Sequence, residues 1–238
     1  MPIASHDSVS RELKLLVDRR EDLVSQRSAT ICRLLWRVHE LDPAHAPKRA
    51  SLHRAKTERE LGAWLVTQAG LVAELARDEL SDIMTFTAQV KALERRIGVR
   101  VKAAAPSLLT ICGCKELTAA KLVAETAAVS RFRSEAAFAA YAGVAPIPRS
   151  SGRSNVRLTG FRAGNRQINA ALHRIAVCQI RHPGPGQTYY RKHCDTHDTP
   201  AQALRRLKRR IAHHVHPATR RICQPRRTIS QATGVSRA

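Results

Sequence analysis

Residues 9–41 read VSRELKLLVDRREDLVSQRSATICRLLWRVHEL, and this stretch decides the fold class. Its apolar residues recur at steps of three and four, with charged residues between them. Gly and Pro are absent until Pro43. This pattern predicts a helix of roughly 30 residues, longer than a small globular domain usually needs, and favours a coiled-coil hairpin. The residues that carry the period are Leu13, Leu16, Val17, Leu23, Val24, Ile31, Leu34, Leu35 and Val38.

A second helical stretch should pack back antiparallel on the first. The segment Leu41–Ala50, LDPAHAPKRA, is the predicted turn. Helical periodicity then runs from about Thr57 to Val101, with a possible break near Gly70 or Ser81. We therefore predict a helical coiled-coil region over 1–104. Such an amphipathic stripe is either core or a partner interface, and it would allow a homo-oligomer through the coiled coil.

Pro106 opens a different domain. Residues 106–125, PSLLTICGCKELTAAKLVAE, predict a helix, a tight turn and a second helix, and resemble a helix-hairpin-helix module. In such a module, turn N–H groups and the next helix N-terminus hold a DNA phosphate without reading sequence. Gly113 occupies the first glycine position, Lys115 stands at the second, and Lys121 follows on the helix. A plain helical hairpin is the alternative.

The rest of the chain also predicts mainly helix. Ser134 is the expected N-cap of a helix over Glu135–Tyr141, and Asn165 that of a helix reaching about Ile180. Thr199 should cap a strongly basic helix that starts at Pro200, and this helix and the basic tail are both expected to contact phosphate. Between them lie a Ser-, Gly- and Arg-rich loop or short hairpin from Pro146 to Thr159 and a loop over His182–Gln187. The predicted C-terminal domain covers 105–216, and a disordered basic tail covers 217–238.

Charge is divided unevenly between the two halves of the chain. Residues 1–100 hold 17 Lys and Arg against 14 Asp and Glu, a net charge of +3. Residues 101–238 hold 24 against 5, a net charge of +19, which predicts a polyanion binder and favours nucleic acid. No apolar run approaches a membrane span, and the N-terminus shows no signal peptide. Six scattered cysteines suit a reducing compartment, so we expect a cytoplasmic, nucleoid-associated bacterial protein.

The stretch Phe138–Ala176 contains no acidic residue and is suited to holding phosphate. Its glycines allow tight turns, and its serines place hydroxyl nucleophiles where a phosphate would lie. The serines are Ser150, Ser151 and Ser154, and the arginines are Arg149, Arg153, Arg157, Arg162, Arg166 and Arg174.

Acidic residues are too few in the basic half to predict a two-metal site. Only five occur after residue 100, and they form no convincing triad, so we predict no metal site in this chain. The alternative chemistry is covalent attack by a hydroxyl. Ser151 precedes Gly152 and lies between Arg149 and Arg153, which fits that chemistry. Ser150 fits nearly as well, and a simple turn remains the alternative.

Several motifs in order resemble the C-terminal domain of IS110-type (IS116/IS902) insertion-sequence transposases. They are YAGVAP at 141–146, the serine-glycine pair 151–152, and AGNRQINAALHRIA at 163–176. The coiled-coil stretch and TPAQALRRLKRRIAHHV at 199–215 are also similar. The resemblance implies a transposase that cuts and joins element ends, with Ser151 as the expected nucleophile. It also implies an oligomer guided by a structured non-coding RNA.

The family pattern also includes an N-terminal RuvC-like domain with a four-carboxylate metal site. This sequence begins at the coiled coil, so any Mg²⁺ would belong to that missing domain and no cofactor is expected in this chain. Lys115 and the polar, basic end also depart from the pattern. We therefore expect a truncated transposase that folds and binds nucleic acid but does not transpose alone. There are two alternatives. One is an inactive remnant that only binds nucleic acid, and the other is a structural coiled-coil protein with a basic tail.

Overall fold

A computed structural model describes residues 7–149, 157–160, 164–196 and 198–220. Nearly all of the regular structure in these residues is helical, which confirms the predicted mainly-α class. In chain order the elements are α1 (Ser8–Leu41), α2 (Ala55–Val66), α3 (Leu71–Ala104), α4 (Pro106–Leu109), α5 (Glu116–Thr126), α6 (Glu135–Tyr141), β1 (Pro146–Arg149), β2 (Arg157–Gly160), α7 (Arg166–Arg181), α8 (Pro185–Asp195) and α9 (Pro200–Arg220).

The first of two compact units comprises residues 8–103 together with 116–124. Its two 34-residue helices, α1 and α3, run antiparallel, as the ion pairs between them show. Arg100 near the end of α3 lies 2.6 Å from Glu12 near the start of α1. Arg20 lies 2.7 Å from Glu94. A buried aliphatic core fills the space between α1, α2 and α3.

The break predicted in the second helical stretch falls at Gly70 and not at Ser81. Helix α2 ends at Val66, and α3 starts directly after Gly70 and continues through Ser81 without interruption. Glycine loses more backbone entropy than other residues in a helix, so it is the natural place for the chain to turn. Whether the long helices supercoil around one another stays a prediction.

The second compact unit contains residues 104–115 and the described residues from 125 onward. Helix α9 is its central element, because α6, α7 and α8 all pack against it. The buried side of α9 carries aliphatic residues at helical spacing, including Leu207, Ile211 and Val215. Phe138 of α6 is fully buried here and lies 5.6 Å from the ring of His216.

The predicted helix caps at Ser134 and Asn165 are confirmed. The Ser134 side chain accepts from the Ala137 N–H, and α6 follows over the predicted residues. The Asn165 side chain accepts from the Gln167 and Ile168 N–H groups at the start of α7. Caps are readable in sequence because they satisfy N–H groups only two or three residues away.

Two boundary predictions need correction. Helix α8 begins at Pro185, inside the segment predicted as the loop His182–Gln187, because proline is well tolerated at the first helical position. Helix α9 continues through Pro217 to Arg220, beyond the predicted start of the tail at 217. Residues 221–238 lie outside the described part of the chain.

Candidate nucleic-acid interface

The Ser- and Arg-rich segment starts with strand β1 and ends with strand β2, and the two strands pair as an antiparallel hairpin. Strands β1 and β2 pair in the register Pro146 with Gly160 and Arg149 with Arg157. The sequence did not decide between a loop and a short hairpin for this segment, and the paired strands show a hairpin. The expected nucleophile Ser151 and its alternative Ser150 lie outside the described residues, as do Arg153 and Arg162.

The base of this hairpin is a close approach of two backbone segments. A Cβ added to Gly164 would lie 2.6 Å from the Cα and 2.7 Å from the backbone nitrogen of Gly143. Only glycine fits at this separation, because both neighbours are backbone atoms that cannot rotate away. Arg166, a predicted phosphate contact, follows directly as an exposed residue at the first position of α7. The hairpin and the start of α7 are therefore held side by side.

The turn between α4 and α5 contains Gly113 with φ +85°. A Cβ there would lie 2.8 Å from the Cys178 Cβ and 3.0 Å from the Ile175 carbonyl oxygen, so the turn packs directly on α7. Among the described non-glycine residues, only Ala127 has a positive φ. Lys115 therefore needs no left-handed backbone, and its side chain is exposed, as a phosphate contact requires.

Two cysteines flank Gly113 in very different surroundings. Cys112 is exposed, whereas Cys114 is buried. Burial raises the pKa of the Cys114 thiol to about 12. Because the thiolate is the reactive form, this thiol should be inert in the folded protein.

We expect iodoacetamide at pH 8 to alkylate Cys112 at least about a hundredfold faster than Cys114 in the native protein. Peptide mass spectrometry over a time course would measure both rates in one sample. In urea the two rates should converge, since unfolding exposes both thiols. Equal rates in the native protein would show that the Cys114 environment described here is wrong.

Lys121 was predicted to contact nucleic acid, but the structure places it inside the helical unit. Its side chain is only 7% exposed, and its ammonium is paired with the Glu21 carboxylate. A buried ammonium needs such a partner to offset the loss of hydration. This arrangement favours a structural role for Lys121, and its predicted contact with phosphate has no support in the geometry.

Helix α9 presents a basic face, on the helix that its basic sequence predicted to contact phosphate. Arg205, Arg206, Arg210, His213 and His214 are exposed along it. Some of these groups already have partners, since Arg206 lies 2.6 Å from Asp198 and His213 is paired with Glu135. The bond from His213 holds the pKa of Glu135 below its usual value. The basic sequence of 200–214 was the signal for that prediction.

An open cavity of about 620 Å³ adjoins this basic face within the same unit. Its walls come from the α4–α5 turn, the segment before α8, and α9. Arg210, His182 and His214 contribute to the lining, and none of the described lining residues is acidic. The cavity therefore offers a positive surface beside the Gly113 turn.

Metal-ligating side chains do not gather in the described part of the chain. No group of three or more His, Cys, Asp or Glu residues there is arranged to hold an ion. Nor does any described helix combine the length and the apolar character that crossing a membrane requires.

Comparison with known proteins relates the middle part of the chain to transposases. Residues 105–191 match the family model of the IS116/IS110/IS902 transposases. Residues 105–191 are therefore similar to the IS116/IS110/IS902 transposases, the resemblance that the sequence motifs predicted. The matched range includes the Gly113 turn, the hairpin and the position of Ser151.

Two relatives from Streptomyces show the extent of the similarity. The chain is 33% identical over 131 residues to the "Insertion element IS110 uncharacterized 43.6 kDa protein" of Streptomyces coelicolor, covering 54% of this chain and 32% of that protein. It is 26% identical over 243 aligned residues to the "Insertion element IS116 uncharacterized 44.8 kDa protein" of Streptomyces clavuligerus, covering 83% and 61%. The chain thus spans between a third and three fifths of these relatives.

Proposed function

We propose that this chain binds DNA and cuts and joins its strands during transposition of an insertion sequence, with Ser151 as the nucleophile. The observation that carries the proposal is the transposase family match, whose range includes Ser151. It is supported by the 39-residue stretch 138–176, which has six arginines and no acidic residue. A serine in such a stretch meets a phosphodiester among positive charges that favour attack.

In the proposed reaction the Ser151 Oγ attacks a DNA phosphorus atom. The bond from phosphorus to one deoxyribose oxygen breaks, and that oxygen leaves as a hydroxyl carrying a proton supplied by solvent, while the serine proton is released. A second strand's hydroxyl then attacks the phosphoserine, breaks the P–Oγ bond and restores the serine. Each step exchanges one phosphoester for another, so joining needs no external energy source.

Nucleic-acid binding in this proposal depends mainly on phosphate contacts. Arg149, Arg153, Arg157, Arg162 and Arg166 would surround the reacting phosphate. Gly113 and Lys115 would hold a second phosphate at the turn. The basic face of α9 would extend the contact, with little preference for sequence and a steep dependence on salt. A guide RNA would use the same chemistry, and the long helices α1 and α3 would support a homo-oligomer.

The proposal is tested with a random-sequence pool of labelled DNA duplexes. In these duplexes sulfur replaces a bridging oxygen of the phosphodiester, which gives a phosphorothiolate linkage. The thiol that leaves is a poor nucleophile, so a phosphoserine intermediate should accumulate. We expect a covalent protein–DNA band on a denaturing gel and a phosphorylated peptide containing Ser151 by mass spectrometry. Fluorescence anisotropy should show binding that weakens steeply with salt. Tight binding without any covalent band would instead favour a chain that only binds nucleic acid.

A further inference from the structure

Five described side chains form two hydrogen-bonded groups where the β1–β2 hairpin joins the helices. We call Glu125, Tyr141, Asn165, Asn169 and Lys208 the hairpin-base cluster. They come from α5, α6, the start of α7 and α9, all within one compact unit. The strands leave α6 just after Gly143 and return to α7 at Gly164, so this cluster surrounds both ends of the segment that carries Ser151.

The oxygen and the nitrogen of the Asn165 side chain bind different partners. Its Oδ1 accepts from the Gln167 and Ile168 N–H groups at 2.9 and 3.0 Å, which caps α7. Its Nδ2 donates to Glu125 Oε2 at 2.7 Å and to the Tyr141 hydroxyl at 3.2 Å. Its backbone N–H also donates to the Tyr141 carbonyl at 2.7 Å. A cap needs only the oxygen, so the amide nitrogen serves the link to Glu125 and Tyr141.

Asn169 repeats the arrangement one helical turn later. Its Nδ2 donates to the carbonyls of Ala142 and Gly143, each at 3.0 Å. Its Oδ1 accepts from Lys208 Nζ at 2.5 Å. The backbone of Gly143, which Gly164 approaches so closely, is thus fixed from α7 and, through Asn169, from α9. Such a network of satisfied partners defines one position for the strand ends.

We infer that Glu125 and Asn165 are positioning residues that hold the two ends of the hairpin in the register at which Ser151 reacts. This inference rests on the proposed function. The bond between a carboxylate and an amide donor is the strong kind, and it joins residues 40 positions apart across the hairpin base. Loss of it should move the reacting segment, since misplacement of about 1 Å is enough to slow a reaction greatly.

The test uses an exchange of donor and acceptor. Asn165→Asp keeps the capping oxygen of α7 but places a second carboxylate against Glu125, so repulsion replaces the hydrogen bond. Glu125→Gln alone leaves an oxygen that can still accept from Asn165, and it serves as the matched control. Combining both changes restores a bond between an amide donor and a carboxylate, with its direction reversed. The readouts are the rate of adduct formation at saturating DNA, DNA affinity, the melting temperature and hydrogen exchange over 141–165.

We expect Asn165→Asp to slow adduct formation about tenfold or more, with DNA affinity and melting temperature near those of the parent. Exchange at the hairpin base should rise, and the double variant should recover both the rate and the protection. A parental rate in Asn165→Asp, no recovery in the double variant, or a loss explained by a fall in melting temperature would overturn the inference. If the parent forms no adduct, the proposed function fails. Hydrogen exchange alone then tests whether Glu125 and Asn165 position the hairpin ends. Unchanged protection in Asn165→Asp would overturn that role.

Discussion

Replacing Ser151 with alanine should abolish the covalent protein–DNA adduct, a loss of at least about a thousandfold in its rate of formation. The substitution removes the Oγ atom that would bond to phosphorus and leaves every arginine of the stretch 138–176 unchanged. DNA affinity should therefore stay within a few-fold of the parent, because phosphate contacts supply most of it. The measurement is adduct formation on the phosphorothiolate duplex pool at saturating protein.

The matched controls are Ser150→Ala and Ser154→Ala, which remove hydroxyls from the same segment. Both should form adduct at a rate near that of the parent. If Ser150→Ala is inactive and Ser151→Ala is active, the nucleophile is Ser150, the alternative that the residue pattern left open. Equal adduct from the parent and all three variants would show that none of these serines is the nucleophile.

Phe138→Ala should cost the second compact unit roughly 3–5 kcal/mol in free energy of unfolding. Phe138 is fully buried and packs edge-on against Phe132 at 5.4 Å between ring centroids. Truncation would leave a cavity beside α9, the helix against which the rest of the unit packs. A loss of this size is a large fraction of the stability of an ordinary domain.

Hydrogen-exchange mass spectrometry is the appropriate measurement, because it resolves peptides from each compact unit. Both tryptophans, Trp36 and Trp64, lie in the first unit and cannot report on the second by fluorescence. Protection over residues 125–220 should fall by about two orders of magnitude or more. Phe138→Leu should lose clearly less, and Arg133→Ala, at an exposed site, should change little. Parental protection in Phe138→Ala would contradict the packing described here.

Sequence reasoning succeeded where the determining interactions are local. Ser134 and Asn165 were predictable as caps because the N–H groups they satisfy are two or three residues away. Gly70 was one of two candidate breaks for the same kind of reason. Sequence reasoning was less successful at the start of α8, where a loop was predicted, and at the end of α9, where a disordered tail was predicted from Pro217 onward. At α8 the proline is tolerated because it lies in the first turn of the helix.

The roles of individual charged and polar residues depended on contacts that no local pattern reveals. Lys121 follows the Gly113 turn on a helix and was predicted to contact phosphate, yet it pairs with Glu21, 100 residues earlier. Glu125 read as one more helical acid, yet it receives the Asn165 amide at the hairpin base. Lys208 sits in a run of basic residues, yet burial lowers its pKa and it donates to Asn169.

By itself, then, the sequence determined the helical class, the long amphipathic helices, the basic second half and the transposase motifs. Hydrophobic periodicity, composition and motifs depend on residues close together in the chain, so they can be read without knowledge of the fold. Only the tertiary structure decided which cations remain exposed and which form ion pairs or hydrogen bonds inside a unit. It also showed how Glu125, Asn165 and Asn169 are hydrogen-bonded at the hairpin base. The physical reason is that burial and partner choice are set by packing between elements far apart in the chain.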